Sequence, residues 1–404
     1  MLRTSWITLS LIAVFACLSG CSDVPEHNDA WLSFKYSIHC GKYQDCKALQ
    51  DTAEATAYYQ SIGVADPNTY GFNNWLSENG FVAGASVVRG VYANLGDLQI
   101  GRDMNCVQVP VNRTNLPSGL KVACYVNNFG PIPSRRLDID SHWPNISEAL
   151  AEADGSHSAL PFATVAMVYD STITGPNNIS FYAFNSQGGL ILEAILDGAD
   201  QRGGGGAFDT SNDEQGPKTV PRMCMACHGG RYDTTAHSVT AASFLPFDVF
   251  FFRYSGKDGF TFDDQAESFR QLNAIVASTT PTAAIQEFIN GTYPAGVSTP
   301  NSAAVDGFTP VGWQDNTKLY QGVVRQYCRM CHMAQPESFA KSSDFVGFVN
   351  QIQHEVCDTH DMPHAQVPFG VDGRKIGFWK DNIAQHDLGN FFKSQGVASC
   401  LPHD

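Results

Sequence analysis

Basic residues are scarce in this chain. Its 404 residues carry 25 Lys and Arg against 40 Asp and Glu, a formal net charge of −15 at pH 7. Nucleic acids and anionic membrane surfaces are recognised through clustered cations, so this balance argues against both as partners. It suits a basic protein partner instead. Long apolar runs are also missing. A spanning helix needs about 20 apolar residues; the stretch Trp6 to Phe15 is too short, and nothing later approaches that length. No internal repeat of solenoid type is visible either. What remains is a chain with 43% hydrophobic residues, enough for real cores, and a length that predicts two or three domains.

The N-terminus reads as an export signal. Arg3 supplies a positive start, Trp6 to Phe15 the apolar segment, and Leu18-Ser19-Gly20-Cys21 follows directly. That ending resembles the lipobox of bacterial lipoproteins, which implies a signal peptide over 1–20, lipidation of Cys21 and a polar tether over 21–30. The alternative is an ordinary signal peptide whose cleavage region contains a cysteine. Ser22 after the cysteine, rather than an aspartate, implies an outer-membrane lipoprotein, facing the periplasm or exposed at the surface. Removing Arg3 with the signal takes the charge from −15 to −16.

Two copies of Cys-x-x-Cys-His stand 104 residues apart, Cys224-Met225-Ala226-Cys227-His228 and Cys328-Arg329-Met330-Cys331-His332. This spacing lets one helical turn hold haem covalently: each thiol adds to a vinyl group, and the histidine is left facing the iron. A Cys-x-x-Cys pair alone also fits a disulfide, a thioredoxin-like redox pair or half of a zinc site. The histidine after the second cysteine, present in both copies, is needed by haem and by none of these. Besides these four cysteines, Cys17 leaves with the signal and Cys21 takes lipid. Cys40, Cys46, Cys106, Cys124, Cys357 and Cys400 remain. An even number in an oxidising compartment predicts disulfides; nearest-neighbour pairing gives Cys40–Cys46, Cys106–Cys124 and Cys357–Cys400, one of fifteen connectivities.

The expected fold class is α+β: a mostly β N-terminal domain over 31–200, then a mostly α-helical di-haem region. The stretch from Trp31 to about Tyr70 is mixed and looks helical. Beyond Phe81, β-branched and aromatic runs predict strands at Val87 to Leu95, Leu98 to Val109, Lys121 to Asn127, Thr164 to Tyr169 and Ile179 to Phe184. Gln187-Gly188-Gly189 predicts a hairpin turn into Leu190 to Leu196. Gly203 to Gly206 marks a linker over 201–215. A first haem-binding region over 216–310 and a second over 311–404 follow. Helical periodicity covers Asp263 to Val276, Thr282 to Ile289, Thr317 to Tyr327, Phe345 to Val356 and Ile383 to Ser394. An aromatic run spans Phe244 to Tyr254, and a Gly/Pro/Ser/Thr-rich connection covers roughly 291–310.

His228 and His332 are the expected proximal ligands. Met362-Pro363 resembles the distal-ligand segment of small c-type cytochromes, which makes Met362 the expected sixth ligand of the second iron. Soft sulfur opposite imidazole favours reduced iron and raises the potential. Phe378-Trp379 and Phe391-Phe392 would pack the haem edge. The first motif has no such partner, because no methionine lies between His228 and Met330. His237 is the nearest histidine; His354, His360 and His364, or Met104, Met167 and Met223, are alternatives, and an open position is another.

Over about 220–400 the chain thus resembles bacterial di-haem c-type cytochromes of the exported lipoprotein kind. The resemblance implies two covalently attached c-type haems, with Cys224, Cys227, Cys328 and Cys331 as anchors, and electron transfer to and from a redox protein. An electron carrier is the leading expectation. A di-haem peroxidase or oxidase with an open position on the first haem is the alternative. A third reading has the β domain bind a substrate or partner, with Arg102-Asp103 compatible with such a site.

Overall fold

The computed structural model describes residues 52–94, 100–111, 118–130, 146–194, 218–336, 338–358 and 377–404. The signal and tether, Cys21, Cys40, Cys46, the glycine-rich stretch over 201–215, His360, Met362 and His364 lie outside them. The fold is α+β. Two helices, α1 (Thr52–Ser61) and α2 (Phe72–Glu78), lead into strands β1 (Val88–Asn94), β2 (Gly101–Val111) and β3 (Gly119–Phe129). Helix α3 (Ile146–Ala153) precedes β4 (Ala163–Asp170) and β5 (Ile179–Asn185). All five strands fall where alternation and β-branching place them. The hairpin after β5 also forms, with the Asn185 amide donating to the Gly189 carbonyl and Phe184 bridged to Leu190. Three helices accompany the five strands in this half, so it is mixed rather than plainly β.

Short pairs follow: β6 (Glu193–Ala194) with β7 (Lys218–Thr219), then helix α4 (Arg222–His228), then the hairpin β8 (Arg231–Asp233) and β9 (Ser238–Thr240). Strand β10 (Phe252–Arg253) pairs with β1 through Ala93–Arg253 and Asn94–Phe252. The main sheet is therefore six-stranded and antiparallel, in the order β10-β1-β2-β3-β4-β5. Its first edge strand comes from beyond the glycine-rich stretch. Beyond β10, Gln265 takes over that edge: its side-chain oxygen accepts from the Val91 amide (2.6 Å) and its nitrogen donates to the Val91 carbonyl (2.9 Å). A buried amide side chain thus satisfies backbone groups that would otherwise be orphaned.

Helices cover both faces of the sheet. Gln265 belongs to α5 (Phe262–Ala277), which is followed by α6 (Ala283–Thr292). The side-chain position of Gly90 faces the Phe269 ring of α5, whereas Val91 packs with Ala153 of α3. Successive strand residues point to opposite faces, so α5 and α3 sandwich β1. At the other edge, the Tyr58 hydroxyl accepts from the Phe181 amide (2.8 Å) and the Tyr59 hydroxyl donates to the Ile191 carbonyl (2.9 Å). Both tyrosines are fully buried. Cys106 and Cys124 are directly opposite on β2 and β3 and form a disulfide, as the spacing suggested.

The large apolar core runs from Tyr58 and Trp75 through the sheet to Met223, Met225, Phe269, Phe288 and Met333. It joins side chains from both sides of the glycine-rich stretch. A second core gathers Trp313, Tyr320, Phe345, Phe378, Trp379, Phe391 and Phe392. There the chain forms α7 (Thr317–Leu319), a π turn over Tyr320–Val324, α8 (Arg325–Tyr327), α9 (Arg329–His332), α10 (Ser342–Gly347), α11 (Val349–Gln353) and α12 (Asn382–Ser394). Phe378-Trp379 and Phe391-Phe392 lie in this core. The Cys357–Cys400 disulfide ties the end of the π turn His354–Asp358 to the region after α12. Among the described residues, no helix is long and apolar enough to cross a membrane.

Candidate haem-attachment sites

Helix α4 begins after Pro221, whose carbonyl accepts from the amides of Cys224 and Met225 at 3.0 Å. Residues i, i+3 and i+4 of a helix share one face, so Cys224, Cys227 and His228 form a single stripe. All three are partly exposed. Met223, Met225 and Ala226 point the other way, into the large core. The fold thus buries Met225 and Ala226, the variable positions of the motif, and leaves Cys227 and His228 partly exposed, while Cys224 is partly exposed but packs against the same core. The helix ends at Gly229, which adopts φ 66°. A Cβ there would overlap the Ala334 carbonyl.

His228 is held twice by Ser243. The Ser243 amide donates to the His228 carbonyl (3.0 Å), and His228 Nδ1 lies 2.9 Å from the Ser243 carbonyl oxygen. A carbonyl can only accept, so Nδ1 carries a proton, and in the neutral imidazole the lone pair belongs to Nε2. A ligating histidine needs this arrangement: the second nitrogen is fixed by a hydrogen bond and the first is available to a metal. The Phe181 ring of β5 packs beside the imidazole, 5.7 Å between centroids.

In the second motif, α9 is one turn, with the His332 amide donating to the Cys328 carbonyl (3.1 Å). Cys328 packs against the second core, while Met330 and Met333 pack against the first. This turn therefore sits where the two cores meet. The His332 ring stacks on Phe339, 3.8 Å between centroids and 11° between planes. Stacking covers a face of the imidazole; its nitrogens lie on the ring edge.

The motifs touch each other. Helices α4 and α9 are in contact, Gly229 meets the Ala334 backbone, and the Gln335 side chain donates to the Ala226 carbonyl at 2.5 Å. The second motif also carries a buried ion pair, Arg329 with Asp248, each 4% exposed. Sequence reading did not single out Asp248, Arg329 or Ser243.

The four motif cysteines are in no disulfide, although Cys106, Cys124, Cys357 and Cys400 are paired. Burial pushes the Cys328 thiol up to about 12 and the Cys224 thiol higher still, the latter also raised by Cys227. These are thiols rather than thiolates at neutral pH, unlike the activated cysteines of redox-active pairs. Among the described residues no three His, Cys, Asp or Glu side chains gather as a metal site.

No family model, curated protein or solved structure matches this chain.

Of the other ligand candidates, His237 sits at the tip of the β8–β9 hairpin with Nδ1 3.3 Å from Glu54 and 3.5 Å from the Tyr232 hydroxyl. His354 is exposed and pairs with Asp358 (3.0 Å). Met167 and Met223 are buried in the large core, and Met104 packs partly buried against it. Arg102 and Asp103 occupy β2, where Asp103 pairs with Arg89 at 2.6 Å.

Proposed function

We propose that the protein is an exported, membrane-anchored cytochrome that carries two covalently attached c-type haems and passes electrons between redox partners. When bound, each haem supplies an iron that changes between ferrous and ferric states. Cys224 and Cys227 would anchor one haem and Cys328 and Cys331 the other, with His228 and His332 binding the irons through Nε2. Met362 would complete the second site, and the anchor at Cys21 would hold the protein at the membrane.

The observation that carries this reading is the His228 arrangement: two unpaired thiols on one helical stripe, beside an imidazole whose Nδ1 is committed to a carbonyl. The donor set fits haem c and fits its rivals poorly. Among the described residues two other cysteine pairs form disulfides and this pair does not, and burial holds the Cys224 thiol neutral. Contact between the motif turns supports electron passage from one site to the other without a partner in between. The net charge favours a basic donor or acceptor.

Mass and absorption of the purified mature protein test the proposal. The expected result is a mass greater than polypeptide plus lipid by two haems, with strong Soret absorbance. Bare polypeptide, or bound zinc without a Soret band, overturns it. Met362→Ala should then remove the weak long-wavelength band of Met–Fe ligation and lower one of two potentials.

A second reading, a di-haem peroxidase or oxidase, is favoured by one observation: the lack of any methionine between His228 and Met330. It expects one high-spin iron in the oxidised protein and rapid reduction of peroxide.

A further inference from the structure

The segment from Ala241 to Phe251 contains neither helix nor strand, yet it runs past both motifs. Three attachments hold it. At Ser243 it meets His228 through the two hydrogen bonds described above. At Phe247 the Asn273 side chain grips the backbone from both sides, accepting from the amide (2.9 Å) and donating to the carbonyl (3.0 Å). At Asp248 it pairs with Arg329, which stands directly after Cys328 in the second motif. The Arg329 guanidinium also donates to the Tyr320 hydroxyl (3.1 Å) and lies 4.8 Å over the Phe288 ring.

Resting on the haem reading, we infer that Asp248 is a positioning residue that joins the two sites: its ion pair with Arg329 fixes the segment whose Ser243 carbonyl orients His228. The imidazole of the first motif then depends on a side chain inside the second. Stability alone does not call for this pair. Two well-packed apolar side chains in place of a buried ion pair are often as stable, whereas a fixed fork of charged hydrogen bonds sets one geometry. Only four residues separate Ser243 from Asp248, and Asn273 grips the chain between them. A displacement at Asp248 therefore reaches Ser243 with little slack. The same charges lie beside the second haem site. A carboxylate there favours ferric iron and a guanidinium favours ferrous iron.

Two measurements on Asp248→Asn and Arg329→Gln test the link. The first is amide hydrogen exchange at Ser243, whose N–H donates to His228. It is expected to accelerate at least tenfold in both variants relative to amides of β3. The second is the pair of haem potentials. Asp248→Asn should raise the second-site potential and Arg329→Gln should lower it, and both should shift the first-site potential as well. Unchanged Ser243 exchange overturns the inference, as does a first-site potential that stays put while the second moves. Should either variant fail to accumulate, Arg329→Lys, which keeps the charge but loses the fork, is read in the same way. A protein without Soret absorbance defeats the haem reading alone, because Ser243 exchange still reports on the link.

Discussion

His228 and Ser243 hold each other by two hydrogen bonds, one from the Ser243 amide at 3.0 Å and one from His228 Nδ1 at 2.9 Å. The pairing sets the tautomer, and with it the nitrogen offered to a metal. Replacing His228 with alanine should leave haem attached through Cys224 and Cys227 but remove its nitrogen ligand. Absorption spectroscopy of the variant should show a new high-spin iron, with the second site unchanged. A spectrum identical to the parent protein would remove His228 from the ligand set.

Gly229 carries two demands at once, a φ of 66° and close passage of the Ala334 backbone. A non-glycine residue in the left-handed region costs about 1–3 kcal/mol by itself, and the overlap adds to this. Gly229→Ala should therefore lose at least ~2 kcal/mol of unfolding free energy in a denaturant titration. Because the contact joins the two motifs, both haem sites should lose spectral sharpness together.

The strands were legible because each advertises itself locally through β-branched and aromatic runs bounded by turn residues. The two Cys-x-x-Cys-His motifs are visible for the same reason, since the pattern fits within five residues; that they attach haem is the proposal made above. Strand β10 was not: two residues inside an aromatic run give no hint that they pair with Ala93 and Asn94. Helix α3 was missed although Ile146–Ala153 is rich in Ala, Glu and Leu, strong helix formers that could have marked it. Ser243 acts through its carbonyl, which any residue type could supply, so nothing in its identity points to a role. Asp248 and Arg329 are 81 positions apart, and no periodicity links them.

The Cys106–Cys124 disulfide closes a separation of 18 residues between strands already paired in register. Replacing both cysteines with alanine should cost about 3 kcal/mol, the amount expected for a loop of that size. Cys106 is fully buried, so the folded protein should also resist mild reductants. Thermal unfolding with and without reductant checks both points.

Glu267 responds to acid. Its carboxylate takes two hydrogen bonds from Arg270, Oε2 at 2.7 Å and Oε1 at 2.6 Å, and accepts from the Asn301 amide (3.0 Å). Arg270 is the chief reason that its pKa falls from 4.5 to about 2. A lowered folded-state pKa means stability that is complete above about pH 4.5 and lost as pH falls towards 2. Glu267→Gln should flatten the stability curve across that window and leave its neutral-pH slope alone. The side chain is 36% exposed, so raising the salt concentration should weaken the effect.

The position of β10 also governs how the polypeptide comes together after synthesis. Residues 252–253 complete a sheet begun at residue 88, so every amino acid between them must emerge before the outer strand can dock. Cys224 and Cys227 lie inside that interval. On the proposed reading, in which the chain is exported and loaded with haem, this first pair of thiols would emerge while its supporting sheet is still unfinished and open to an attachment enzyme. Cys328 and Cys331 emerge only after the last strand has been made. Under that proposal the order of emergence would set an order of loading, with Cys224 and Cys227 served before Cys328 and Cys331.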